Sequence, residues 1–288
     1  MLIRSRQIRR TRAKMQATTL DQLSDRARFI RTETIRLIQI AKSGHYTSVF
    51  SAAEILATLY YHTMKISRDP KWPDRDRLIL SKGHVAVGVY PILADLGYFP
   101  KEWLDNYARI GSALGDHPDM RKVPGIDFSS GSLGHGLSVA IGMALGLRLK
   151  KSPGRVFVLM GDGEQNEGQI WEAAQSGSQY RLGNVIGIID RNEMQFDGLT
   201  EEVMGIEPLA EKWHSFGWQV HSCDGNTIPE LVRTFDSLPV NSDRPQLVIA
   251  KTIKGKGLSF MENARVWHLG HLSGADAEAA IKELNASN

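Results

Sequence analysis

Four short apolar runs, Val156-Phe-Val-Leu-Met160, Val185-Ile-Gly-Ile-Ile189, Trp218-Gln-Val220 and Leu247-Val-Ile-Ala250, alternate with stretches of helical character over residues 171–181, 208–216 and 229–238. Runs this short and rich in β-branched residues, with helices between them, bury both faces as strands of a parallel sheet covered by helices on each side. Arg77-Leu-Ile-Leu80 reads as another buried strand, emptying into a loop at Ser81-Lys-Gly-His84. Upstream, residues 18–61 are helical in pattern, with Ile30, Ile35, Leu37, Ile38 and Ile40 on one face. Ser43-Gly44 ends one helix, and Ser51-Ala-Ala-Glu54 reads as the capped start of the next. Val85 to Leu96 reads as a helix closed by Gly97. No repeat or long linker divides the chain. The expected fold class is therefore α/β, a single domain over residues 20–288.

Composition removes whole classes of function. With 42% apolar and 23% charged residues in 288, the chain is neither collagen-like nor low-complexity nor wholly disordered. No run reaches the roughly 18 apolar residues needed to cross a bilayer. Cys223 is the only cysteine, so an intrachain disulfide and a thiolate-rich metal site are both excluded. A cytoplasmic protein is expected. The net charge of +3 is unevenly spread: Arg4, Arg6, Arg9, Arg10, Arg12 and Lys14, with no acid, give residues 1–19 a charge of +6 and leave −3 for the rest. That arm has the composition of a nucleic-acid-binding or targeting segment, but a solvated terminal extension is the preferred reading. It lacks the apolar stretch of a secretory signal.

Ligands of doubly wound sheets bind beyond the carboxyl ends of the strands. The run Val156–Met160 empties into Gly161-Asp162-Gly163-Glu164-Gln165-Asn166-Glu167-Gly168, which opens a helix. Its glycines let backbone amides approach a ligand, and the helix start favours an anion. The next strand ends Asp190-Arg191-Asn192-Glu193-Met194, one strand over. The Asp162 carboxylate, the Asn192 amide oxygen and the backbone carbonyl near Met194 make half an octahedron of hard oxygens for Mg²⁺, with phosphate oxygens and a water to complete it.

Gly161-Asp-Gly163, followed after 28 residues by Asn192, resembles the thiamine-diphosphate signature, and Glu167-Gly168 and Leu182-Gly-Asn184 match its transketolase version. Further motifs run in order: Ser43-Gly-His45 with Ser51-Ala-Ala-Glu54, Ser81-Lys-Gly-His84, His117-Pro-Asp119, Gly131-Ser-Leu-Gly134, Lys254-Gly-Lys-Gly257 and Trp267-His268. Together they resemble the N-terminal, pyrophosphate-binding subunit of a split transketolase. The resemblance implies a thiamine-diphosphate-binding module in which Asp162, Asn192 and the carbonyl of Met194 hold Mg²⁺. It further implies that Gly161, Gly163 and the loop Gly131, Ser132 and Leu133 lie along the cofactor. Thiamine diphosphate supplies a thiazolium carbanion that carries a two-carbon unit from a ketose phosphate to an aldose or aldose phosphate acceptor.

Histidine suits such proton traffic because it titrates near neutrality. Four of the nine fall in these motifs. The resemblance implies that His45 and His117 contact the donor hydroxyls, while His84 and His268 face the diphosphate and the reacting carbon. His62, His214, His221 and His271 are read as structural, and His135 is left open between the two. Glu167 is expected at the subunit interface, where it interacts with the partner's activating glutamate. A complete transketolase has a second, aminopyrimidine-binding domain, so this chain is expected to be inert by itself and to work in an α₂β₂ assembly. Tyr46-Thr-Ser-Val-Phe50 and Asp116 depart from the family pattern, as does the ending His268-Leu-Gly-His271. The first two border the expected sugar pocket and suggest an unusual or branched ketose phosphate donor. The alternatives are the α subunit of a 2-oxo acid dehydrogenase and a non-catalytic regulatory subunit. A deoxyxylulose-phosphate synthase is disfavoured by length, and an NAD-dependent dehydrogenase by the lack of Gly-x-Gly-x-x-Gly between a strand and a helix.

Overall fold

The computed structural model describes residues 19–286. The basic residues of the N-terminal arm lie outside the described residues; Thr19, assigned to that arm, instead caps the first helix. Its side chain accepts from the Gln22 amide while Gln22 accepts from the Thr19 amide, a reciprocal cap.

Five parallel strands form one sheet: β1 (Arg77–Leu80), β2 (Val156–Gly161), β3 (Val185–Arg191), β4 (Gln219–Asp224) and β5 (Gln246–Lys251), in the spatial order β1-β2-β3-β5-β4. The helices are α1 (Leu20–Ala41), α2 (Tyr46–Thr58), α3 (Ala86–Asp95), α4 (His135–Leu149), α5 (Gly168–Gln179), α6 (Thr200–Met204), α7 (Leu209–Ser215), α8 (Ile228–Ser237) and α9 (Gly274–Ala286). Alternate strand residues face opposite sides. Leu78, Leu80, Phe157, Leu159, Ile186 and Ile188 join a core with α1, α2, α3, α8 and α9. Ile79, Val156, Val158, Met160, Val185 and Ile189 join another with α4, α5 and α7, around Trp213 and Trp218. This two-faced burial explains why β2 and β3 read as continuous apolar runs.

Two expectations are corrected. Ser51-Ala-Ala-Glu54 does not start a helix; α2 begins at Tyr46, and both polar residues sit buried inside it. Ser51 donates to Asp190, and Glu54 pairs with Arg31. The edge strand β4 is also longer than its apolar portion, since partial exposure admits Ser222, Cys223 and Asp224. The remaining strands and helices fall where the pattern placed them, within a few residues, and Gly97 closes α3 with φ +79°. Helices α4, α6 and α9 are not evident from the pattern.

The Arg31–Glu54 pair fastens α1 to α2 through two 2.7 Å contacts, with Arg31 also donating to the Phe50 carbonyl. Both residues are buried, so removing one strands the other's charge. Glu54→Ala or Arg31→Ala should cost about 3–5 kcal/mol, read by urea unfolding; an unchanged midpoint would refute a structural role for the pair.

Candidate active site

Register places the carboxyl ends of β2 and β3 side by side, with Gly161 opposite Asp190. The turn after β2 therefore meets the residues after β3. Asp162, 1% exposed, accepts at Oδ2 from the Glu193 amide at 2.6 Å and from Arg191 at 3.0 Å, and at Oδ1 from the Gly163 amide at 2.8 Å. Burial and the neighbouring Asp190 charge lift its carboxyl above the ordinary value despite Arg191. Asn192 and Met194 are buried beside it, the Asn192 side-chain oxygen accepting from the Met194 amide. Arg191 also pairs with Glu201 and Glu207, so its charge stays compensated if Asp162 turns to a cation. Among the described residues no group of three His, Cys, Asp or Glu side chains could hold a metal. The oxygens available at this double turn are a carboxylate, an amide and a main-chain carbonyl, a donor set that fits a hard divalent cation.

The four motif histidines arrive from separate segments and meet. The His45 ring lies 5.0 Å from His84, 5.5 Å from His268 and 6.3 Å from His117, and His84 lies 5.8 Å from His268. A paired main-chain bridge between Gly44 and Gly270 docks the C-terminal loop beside His45. Burial, reinforced by Lys82, His45, His268 and Lys254, pushes His84 well below its usual range. Burial and Lys254 push His268 down to about 3. Both rings are therefore neutral at pH 7, each with one donor and one acceptor nitrogen.

The glycine loop borders the same cleft, with Gly131, Ser132 and Leu133 exposed and α4 beginning just beyond. Buried Glu164 shapes it, accepting from the Gly134 amide at 2.8 Å, the Gly161 amide at 3.0 Å and the Ser81 hydroxyl. Glu167 is exposed at the start of α5, against Gly134. His62 bonds Asp236 and His221 bonds Gln246, outside the cluster; His135, His214 and His271 are exposed.

Several site features escaped the sequence reading. The Lys254 ammonium, 2% exposed, has no ion-pair partner among the described residues, and burial with the nearby Lys82 charge lowers it to about 8. Lys82 and Asp190 form a buried pair beneath the histidines. Among the described residues, the buried polar atoms His45 Nδ1, His268 Nδ1, Ser130 Oγ and Gln195 Nε2 find no hydrogen-bond partner. Such orphans beside an uncompensated lysine suit a polar, anionic ligand. Lys82 and Lys254 lay within quoted motifs, but only the fold shows that both cations converge. The expectation that Tyr46 to Phe50 border the sugar pocket is corrected: they form the first turns of α2, and Tyr46, Thr47, Val49 and Phe50 are fully buried.

A cavity of about 830 Å³ opens beyond β3, β4 and β5, lined among others by Arg191, Glu193, Asn226, Thr252 and Lys256. It includes none of the four histidines.

Sheet, double turn and imidazole cluster define the cofactor-binding unit of a thiamine-diphosphate enzyme. The family described as the thiamine diphosphate binding domain of transketolase matches residues 23–286. The chain belongs to the transketolase family. An apulose-4-phosphate transketolase subunit from Phocaeicola vulgatus is 40% identical over 272 residues, 94% of this chain and 95% of its own length. The 6-deoxy-6-sulfo-D-fructose transketolase subunit SqwG of Clostridium sp. is 43% identical, over 91% and 96%. The transketolase of Campylobacter jejuni superposes with TM-score 0.85 at 28% identity, over 92% of this chain but 42% of that one. The match to separate subunits over their whole length supports the two-polypeptide reading rather than a 2-oxo acid dehydrogenase.

Gly134 has φ +84°, and a Cβ there would lie 2.7 Å from that of Glu167. Gly134→Ala should cost at least about 1–2 kcal/mol from the left-handed backbone. Gly131→Ala, whose Cβ meets nothing within 4 Å, should be neutral. Equal urea midpoints for both variants would contradict this assignment.

Proposed function

We propose that this chain, over residues 20–288, is the cofactor-binding subunit of a transketolase, moving a two-carbon ketol unit from a ketose phosphate to an aldose or aldose phosphate. The carrying observation is the convergence of His45, His84, His117 and His268 beside the Asp162–Asn192 double turn. Asp162, Asn192 and the Met194 carbonyl would hold Mg²⁺, and Gly161, Gly163 and the loop Gly131, Ser132 and Leu133 would follow the cofactor. Thiamine diphosphate, when bound, supplies the nucleophilic carbon and the electron sink. Lys254 and Lys82 offer positive charge to its diphosphate, while neutral His84 and His268 hold or accept protons near the reacting carbon. His45 and His117 orient the donor hydroxyls and move their protons.

The relatives named as transketolase subunits support a separate partner, one carrying the pyrimidine-binding domain. Exposed apolar side chains at the rim of the cleft support this, notably Phe196, edge-on to His268 at 5.0 Å, and Leu269. Glu167 is exposed for the partner's glutamate, and the assembly proposed is α₂β₂. No helix among the described residues is long and apolar enough to cross a membrane. With the single cysteine unpaired, this supports a cytoplasmic site of action. The relatives named for apulose 4-phosphate and 6-deoxy-6-sulfo-D-fructose support a donor outside the standard pentose and hexose phosphates.

Reconstitution tests the proposal. The chain alone should be inert, and adding its partner polypeptide, thiamine diphosphate and Mg²⁺ should give ketol transfer. Turnover of pyruvate without ketol transfer would overturn it. Asp162→Ala should abolish Mg²⁺-dependent cofactor binding in calorimetry; retained binding would mean the metal ligands are misassigned. The Lys254 ammonium is charged below about pH 8 and neutral above it, so cofactor affinity should fall as pH rises through 8. Lys254→Met should bind weakly, with no such fall; a wild-type affinity constant from pH 7 to 9.5 would refute the role.

A further inference from the structure

Asp116, which departs from the family pattern, occupies a position no other carboxylate in the cleft has. Its Oδ1 lies 3.6 Å from Nδ1 of His45, and its Oδ2 lies 3.3 Å from Nδ1 of His117. Tyr107, fully buried, donates its hydroxyl to Oδ1 at 3.2 Å. Tyr90, from α3, donates to the neighbouring Gly115 carbonyl at 2.8 Å. The carboxylate is thus anchored from behind and presents one oxygen to each of two histidines from different segments. Burial works to raise its pKa, but the adjacent His117 and His45 rings outweigh it and hold the carboxyl well below its ordinary range. It is ionised throughout the physiological range.

An ionised carboxylate facing Nδ1 favours the proton on that nitrogen. Nε2, across each ring, then keeps its lone pair for the cleft. We propose that Asp116 is a positioning residue that fixes the Nδ1–H tautomer of both His45 and His117, so that each accepts a proton or hydrogen bond from a hydroxyl of the ketose donor. The inference rests on the sugar-facing role given above to these two histidines. A glycine at this position would offer neither ring a carboxylate. The His45 Nδ1 atom, buried and without a hydrogen bond among the described residues, needs only a short approach to reach Asp116.

The tautomer is measurable on the full chain without turnover, from imidazole ¹⁵N shifts. Wild type should show Nδ1 protonated and Nε2 bare for both rings at a pH where they are neutral. Asp116→Ala and Asp116→Asn should shift both toward the Nε2–H form, and Asp116→Glu should restore the original pattern at least in part. In the complex with the partner polypeptide, Asp116→Ala should lower kcat/KM for the donor by about 10²-fold, with thiamine diphosphate affinity unchanged. Unaltered ¹⁵N shifts in Asp116→Ala, or cofactor affinity falling in step with turnover, would overturn the proposal. A wild-type complex that transfers no ketol unit would instead sink the functional reading, while the ¹⁵N pattern still decides whether Asp116 sets the tautomer.

Discussion

A carboxylate sealed under the cleft is the constraint on which the site depends. Asp190, fully buried at the end of β3, accepts from Lys82 Nζ, from the Ser51 hydroxyl at 2.6 Å and from the Thr252 hydroxyl. Those donors come from the loop after β1, from α2 and from the segment after β5. Burial alone would raise the Asp190 pKa; the Lys82 charge and the hydroxyls outweigh it and keep the group ionised. A buried charge tolerates no vacancy among its partners, so the network enforces the meeting of four segments. Two residues further, just past the end of β3, comes Asn192, and two beyond Lys82 comes His84. The turn carrying Asn192 and the imidazole cluster thus hang from the same pinned atoms.

Charge is graded across the cleft as a result. Lys82 and Lys254 put two cations at its floor, and their field, added to burial, keeps His84 and His268 neutral. The positive charge of the two lysines is thereby kept apart from the neutral imidazole nitrogens. An imidazole forced to carry that charge itself would have no lone pair to accept with. At the outer end the sign reverses, where Asp116 faces His45 and His117. Under the proposed function, this gradient runs from the cofactor's charged tail to the sugar's hydroxyls.

Much of this was legible in the chain, and for identifiable reasons. Strands β2, β3 and β5 announced themselves because burial on both faces leaves no polar interruption. Asp162 and Asn192 could be paired because a right-handed crossover returns each strand parallel to the last, putting successive strand ends on one edge. Helix α4 stayed hidden because Gly136, Gly142 and Gly146 dilute its apolar face; Gly136 is needed where a Cβ would lie 2.4 Å from the Ser81 hydroxyl. Ser51 and Glu54 misled because the spacing of a capping box is equally that of two polar residues one helical turn apart. Their partners, Asp190 and Arg31, lie 139 and 23 residues away in the chain. The bulk at Tyr46 to Phe50 was visible, but its direction into the core was not.

Long-range charge pairing is what local pattern cannot convey, and it bears on how a half-site can be stable alone. The floor of the cleft is built entirely from this chain: Asp190, Lys82, Glu164 and the turns they hold are satisfied without a partner. Its rim is not. Phe196, Leu269 and the glycine loop are exposed, and His45 Nδ1, His268 Nδ1 and Gln195 Nε2 find no hydrogen-bond partner among the described residues. The geometry of the floor is thus fixed in advance by this chain's own contacts, while part of the rim keeps unsatisfied polar atoms. Under the proposed function, that division lets the chain hold a preorganised anion floor while the second polypeptide completes the reacting end.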